Sequence, residues 1–96
     1  METKWIKDFL CLAEKRSFSQ AAEARHVSQP ALSRRIRALE EWVGVELVDR
    51  SCQPLRLTTA GLVFFERAQL LLNLTLDTRS LLQDKFRQAG ALVAEN

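Results

Sequence analysis

Gln29, Pro30, Ser33 and Arg34 follow Ser28 closely enough to share one face of a helix, and their side chains are of kinds that discriminate between base pairs. A glutamine amide pairs with an adenine edge, an arginine fork with guanine, and a pyrrolidine ring offers apolar surface to a thymine methyl. The Ser33 hydroxyl is short and suits a base or a phosphate. Arg37, Arg50 and Arg56 add fixed positive charge suited to backbone phosphates, which strengthens binding and makes it salt-dependent without conveying sequence. Ser17, Ser19 and Gln20, at an expected helix start, are also assigned to phosphate, because N-terminal backbone amides attract anions. Taken singly, each of these residues is an ordinary solvated surface group. The ordered set makes double-stranded DNA the expected partner, with one helix in the major groove.

Two short helices broken by a tight turn must position this set. Ser17 with Gln20 forms a capping-box pattern that satisfies two orphaned backbone donors of the first. Ser28 is an N-cap for the second, and Pro30 falls in its first turn, where a missing N–H costs nothing. The chain must therefore bend around Arg25, His26 and Val27, and His26 reads as a turn residue rather than a ligand. Phe18, Ala21 and Ala22 supply the buried face of the first of these helices. Leu32, Ile36, Leu39 and Val43 form the apolar stripe of the second, leaving Gln29, Pro30, Ser33, Arg34 and Arg37 on an arc of roughly 140° that points away from it.

An earlier helix, capped by Thr3, carries Trp5, Phe9, Leu12 and Ala13 at helical spacing, with Lys4, Lys7, Asp8 and Lys15 assigned to the other side. After Gly44, Val45 to Arg50 and Leu55 to Thr58 read as two short strands forming a wing, joined through Ser51 to Pro54. Thr58 or Thr59 then caps a long helix running to about Gln88, ~45 Å if unbroken. Along it Phe64, Ala68, Leu71, Leu74, Thr78 and Leu81 form one stripe, and Phe65, Leu72 and Leu76 another. The start of that helix is expected on the core, and its remainder on a second copy, with Leu71, Leu74, Thr78 and Leu81 at the dimer interface. Trp5 and Trp42 are expected as packing residues, Trp42 against the long helix. The resulting division is a winged helix-turn-helix unit at 1–58, a dimerisation helix at 59–88, and a frayed end or linker at 89–96.

With 96 residues, 14 basic and 12 acidic, the chain suits one mainly helical domain and its net charge of +2 proves nothing by itself about nucleic acid. The two cysteines, Cys11 and Cys52, have no Cys or His near them at metal-ligand spacing, so neither a metal nor a cofactor is expected. A nucleophile with a paired base, a glycine-rich phosphate loop and clustered carboxylates are all missing, which argues against an enzyme. No apolar run approaches membrane length and the start has no secretory pattern, so a reducing cytoplasm is expected. The competing reading is a protein-interaction or dimerisation module that borrows the helices without reading DNA.

Val-Ser-Gln-Pro-Ala-Leu-Ser at 27–33, Arg-Ala-Leu-Glu at 37–40, Gly-Val-Glu-Leu at 44–47, Asp49-Arg50 and Leu-Thr-Thr-Ala-Gly at 57–61 follow one another in fixed order. With the capping box before them, they resemble the LysR-type transcriptional regulators from Trp5 to the long helix. The Glu-Thr-Lys-Trp start and the Arg-His-Val-Ser-Gln-Pro-Ala run are most similar to hypochlorite-responsive members. The resemblance implies a winged helix-turn-helix, a homodimer joined through the long helix on an inverted-repeat site, two dimers assembling as a tetramer in full-length members, and an effector-binding domain there. Four positions depart from the usual pattern. Arg25 replaces a common leucine, Val48 a common phenylalanine, and Gln53-Pro54 stand where the wing often carries basic residues.

Overall fold

The computed structural model describes residues 2–87 in full; the expected end of the last helix near Gln88 and the tail at 89–96 fall outside those residues. Helix α1 (Thr3–Lys15) takes Glu2 as its N-cap with no side-chain cap bond, so Thr3 is the first helical residue rather than the cap. It ends at Arg16, whose left-handed φ of 56° lets its N–H reach Leu12 O at 2.8 Å. Helix α2 (Phe18–Ala24) starts where Ser17 Oγ accepts from the Gln20 N–H at 3.2 Å, one arm of the expected capping box. The turn then falls where the sequence places it. His26 adopts φ 57°, and the Val27 N–H bonds back to Ala22 O at 3.0 Å.

Helix α3 (Gln29–Val43) is capped by Ser28, whose Oγ accepts from the Ala31 N–H at 3.2 Å, and is stopped by Gly44 at φ 95°, a conformation that a side chain disfavours. Leu32, Ile36 and Leu39 are fully buried against Phe9 and Leu12 of α1 and Ala21 and Ala22 of α2. The small alanines let the helices approach, and α1, α2 and α3 all touch one another.

The wing is shorter than its sequence suggests. Strands β1 (Val48–Asp49) and β2 (Arg56–Leu57) pair antiparallel, Val48 opposite Leu57 and Asp49 opposite Arg56. The backbone around them is otherwise engaged. Glu40 Oε2 accepts from the N–H groups of Leu47 and Val48 at 2.7 and 3.2 Å, and Thr58 Oγ1 donates to Glu46 O at 2.7 Å. Glu40 thus takes the Leu47 amide that a longer ladder would have used, leaving only the Thr58 N–H bond to Leu47 O at 3.0 Å at that position.

Helix α4 (Thr59–Glu95) is capped by Thr58, whose Oγ1 accepts from the Gly61 N–H at 3.0 Å. A side chain at Gly61 would collide with the carbonyl of Leu47, so glycine is what lets α4 begin hard against the wing. Phe64 meets Phe9 edge-on with ring centroids 5.1 Å apart, and Ala68 is buried. Farther along, Leu72 is half-buried and shares a shallow groove with Leu10, Cys11 and Arg25. From there α4 projects beyond the head, giving overall dimensions of 55 × 26 × 20 Å. No described helix is long and apolar enough to cross a membrane.

Candidate nucleic-acid interface

The rotation of α3 decides which side chains are presented. With Leu32, Ile36 and Leu39 facing inward, Pro30, Arg34 and Arg37 are exposed on the far side of the helix, as the helical spacing requires, and Gln29, only about 50° from the stripe's midline, is exposed because it stands in the first turn. Ser19 and Gln20 of α2 and Arg56 of the wing are also exposed, and Ser17 is half-buried. A cleft lined by Ser17, Ser19, Gln29, Ser33, Arg50 and Gln53 joins the start of α2, the first turns of α3 and the wing into one concave surface. Three separate stretches of sequence meet there.

Two members of the expected set are held by the fold. Ser33 is half-buried, and its Oγ accepts from Arg50 Nη1 at 2.9 Å. Arg50 also pairs through Nη2 with Glu40 Oε1 at 3.4 Å and stacks its guanidinium 4.7 Å from the centre of the Phe18 ring. Their geometry joins the wing to α2 and α3, leaving Gln29, Pro30, Arg34 and Arg37 as the unengaged polar and ring side chains of the α3 face. Arg16 ties the wing in a second place: its Nε donates to Leu55 O at 3.1 Å, while the Leu55 N–H donates to Arg16 O at 3.1 Å.

Asp8 corrects the reading of α1. It is completely buried rather than on the outer side, with Arg25 Nε at 2.7 Å from one carboxylate oxygen and Arg35 Nη1 at 3.2 Å from the other. A buried charge is tolerated only with partners of this kind. The signal was present in the sequence. Asp8 lies three residues after Trp5 and four before Leu12, which places it on the apolar stripe itself, and Arg25 stands at a position where a leucine is common. Trp42 is also corrected. It is 60% exposed near the end of α3, so it is not the covered packing residue its type suggests.

The wing turn has its own local order. Asp49 Oδ1 accepts from the Ser51 N–H at 3.0 Å and from the Ser51 hydroxyl, and Cys52 Sγ donates to Oδ2 at 3.5 Å. The Ser51 hydroxyl and backbone bonds, then the thiol contact, hold the Asp49 carboxyl below its ordinary value, with Arg56 adding to the effect. Both cysteines are free thiols, and no cluster of potential metal ligands occurs among the described residues.

The model of the bacterial regulatory helix-turn-helix proteins of the lysR family matches residues 3–62. The transcriptional regulator YjiE of Escherichia coli K12 is 56% identical over 72 residues, 75% of this chain and 24% of YjiE. The chain thus spans about a quarter of that relative's length. Among solved structures, DarR of Vibrio fischeri in complex with DNA superposes with a TM-score of 0.87 at 49% identity, covering 92% of this chain and 30% of DarR. HypT of Salmonella typhimurium, a hypochlorite-specific LysR-type regulator, gives 0.80 at 51% identity, covering 86% of this chain and 29% of HypT.

Proposed function

We propose that this chain, which belongs to the LysR family of bacterial helix-turn-helix regulators, is the sequence-reading part of a transcription factor that grips double-stranded DNA as a homodimer. The observation that carries the reading is the two-sidedness of α3: a fully buried stripe of Leu32, Ile36 and Leu39 opposite an exposed face of Pro30, Arg34 and Arg37, with Gln29 exposed beside that face in the first turn. In the major groove, Gln29 and Arg34 read base edges and Pro30 covers a thymine methyl. Arg37, Arg56, Ser19 and Gln20 hold phosphates on either side. Ser33 and Arg50 act at the floor of the same cleft, Ser33 reaching a base and Arg50 a phosphate from within the contact that already joins them. Its chemistry is binding, not catalysis, and its place of action is the bacterial cytoplasm.

A module of this size spans few base pairs, so a second copy is needed for selectivity. The exposed Leu71, Leu74, Thr78 and Leu81 on α4 supply the surface that recruits it, giving two recognition helices related by a two-fold axis and an inverted-repeat site. The test is a gel-shift titration on a duplex selected by this chain from random DNA and on a scrambled control. Arg34→Ala is expected to weaken the selected complex by about 1–3 kcal/mol and to relax preference at one position, with Gln29→Ala behaving similarly at another. Unchanged binding by both variants would leave a dimerisation module without DNA readout.

A further inference from the structure

The apolar stripe of α3 fixes the depth of the helix in the fold more firmly than its roll, because apolar contact is non-directional. Roll is what base reading depends on. A rotation of about 20° moves an atom about 6 Å from the helix axis by about 2 Å, enough to break a hydrogen bond to a base edge. Directional bonds on both flanks of the stripe would prevent it, and α3 has them. At 100° per residue, Glu40 and Ser33 lie about 70–90° to one side of the stripe's midline and Arg35 about 70° to the other. On the first flank, Arg50 of the wing grips Ser33 and Glu40. On the second, Arg35 Nη1 meets Asp8 of α1 at 3.2 Å.

Asp8 is the fixed point of that second tether. It is completely buried, its other oxygen is held by Arg25 at 2.7 Å from the turn between α2 and α3, and both arginine side chains are only about a quarter exposed, at 27% and 28%. The pairing also sorts the arginines of α3. Arg34 and Arg37 face outward, while Arg35 is drawn to the interior and withheld from phosphate. We infer that Asp8, through Arg25 and Arg35, is a positioning residue that sets the roll of the recognition helix and so the sequence selectivity of the protein, although it touches no DNA. This rests on the DNA-reading function proposed above.

The experiment compares Asp8→Asn with the unchanged chain on the selected and scrambled duplexes over a range of salt concentrations, at a temperature where circular dichroism shows both fully helical. The variant keeps the side-chain shape but loses the charge that draws in two guanidiniums. Affinity for the selected duplex is expected to fall about tenfold or more, while affinity for the scrambled duplex holds or rises and its salt dependence steepens as Arg35 becomes available to phosphate. A fall of both affinities in parallel, or no change in their ratio, would overturn the inference. Arg35→Gln provides the same reading if Asp8→Asn does not fold, since Arg35 is partly exposed and its loss leaves the Asp8–Arg25 pair in place; it is expected to lower selected binding without strengthening scrambled binding. If the unchanged chain itself fails to distinguish the two duplexes, the DNA-reading proposal fails, which is a different result from equal selectivity in the chain and its variants.

Discussion

In the head, Leu12, Leu32, Leu39 and Leu47 have no exposed surface, whereas along the outer part of α4 Leu74, Leu81 and Leu82 keep 64%, 52% and 51% of theirs. Both regions are helical and both place leucines at helical spacing. The difference lies in what they pack against. The head closes three helices and a wing around one core and joins them with the Asp8 and Glu40 carboxylates. The outer part of α4 has only its first stretch, around Phe64, Phe65 and Ala68, on that core. The head is stabilised within one chain, and the outer part of α4 has its apolar surface available to another.

Substitutions in the two regions should therefore behave differently. Leu39→Ala is expected to lower stability by about 2–5 kcal/mol through lost burial and the cavity left behind, measured by urea denaturation. A cost well under 1 kcal/mol would mean that the head tolerates loose packing and would erase the contrast. Leu74→Asp should leave the helical signal of the head intact yet yield a monomer in sedimentation, with binding to a two-half-site duplex weakened by about 100-fold as the advantage of linked sites is lost. A dimer that persists with full affinity would place the self-association surface elsewhere.

Gly61→Ala probes the junction between the regions. The added methyl meets the Leu47 carbonyl, so a loss of about 1–3 kcal/mol is expected on thermal denaturation; a neutral result would show that α4 can slide away from the wing without cost. The smallest effect concerns the wing turn alone. Because the folded carboxyl of Asp49 is lowered from 3.8, its contribution is present above that value and is lost as pH falls below it towards the folded pKa. Protection of the Ser51 amide, measured against its intrinsic exchange rate at each pH, should fall over that acid range, and Asp49→Asn should abolish the change; protection that stays constant across the range in the unchanged chain would contradict the assigned hydrogen bonds.

Much of the head was legible because local signals agreed with one another. Ser17, Ser28 and Gly44 mark helix ends by backbone chemistry, and the spacing of Leu32, Ile36 and Leu39 fixes which side of α3 turns inward. Legibility failed where a residue's partner is distant in sequence. Asp8 looked solvated because aspartate usually is, and only Arg25 and Arg35 arriving beside it make burial affordable. The strands looked longer because nothing nearby shows that Glu40 takes the Leu47 amide. Trp42 looked like a packing residue by type, yet 60% of it stays exposed among the described residues.

The sequence by itself determined the helix boundaries around the turn, the inward stripe of α3 and the outward placement of Pro30, Arg34 and Arg37, since caps and helical periodicity act within a few residues. Only the tertiary structure decided that Arg50 and Ser33 bond to each other, that Arg35 turns to Asp8 rather than to the outer face, and that Leu74, Leu81 and Leu82 lack a cover within one chain. Those outcomes depend on side chains brought together across long stretches of chain, where hydrogen bonding and burial rather than local propensity select the arrangement.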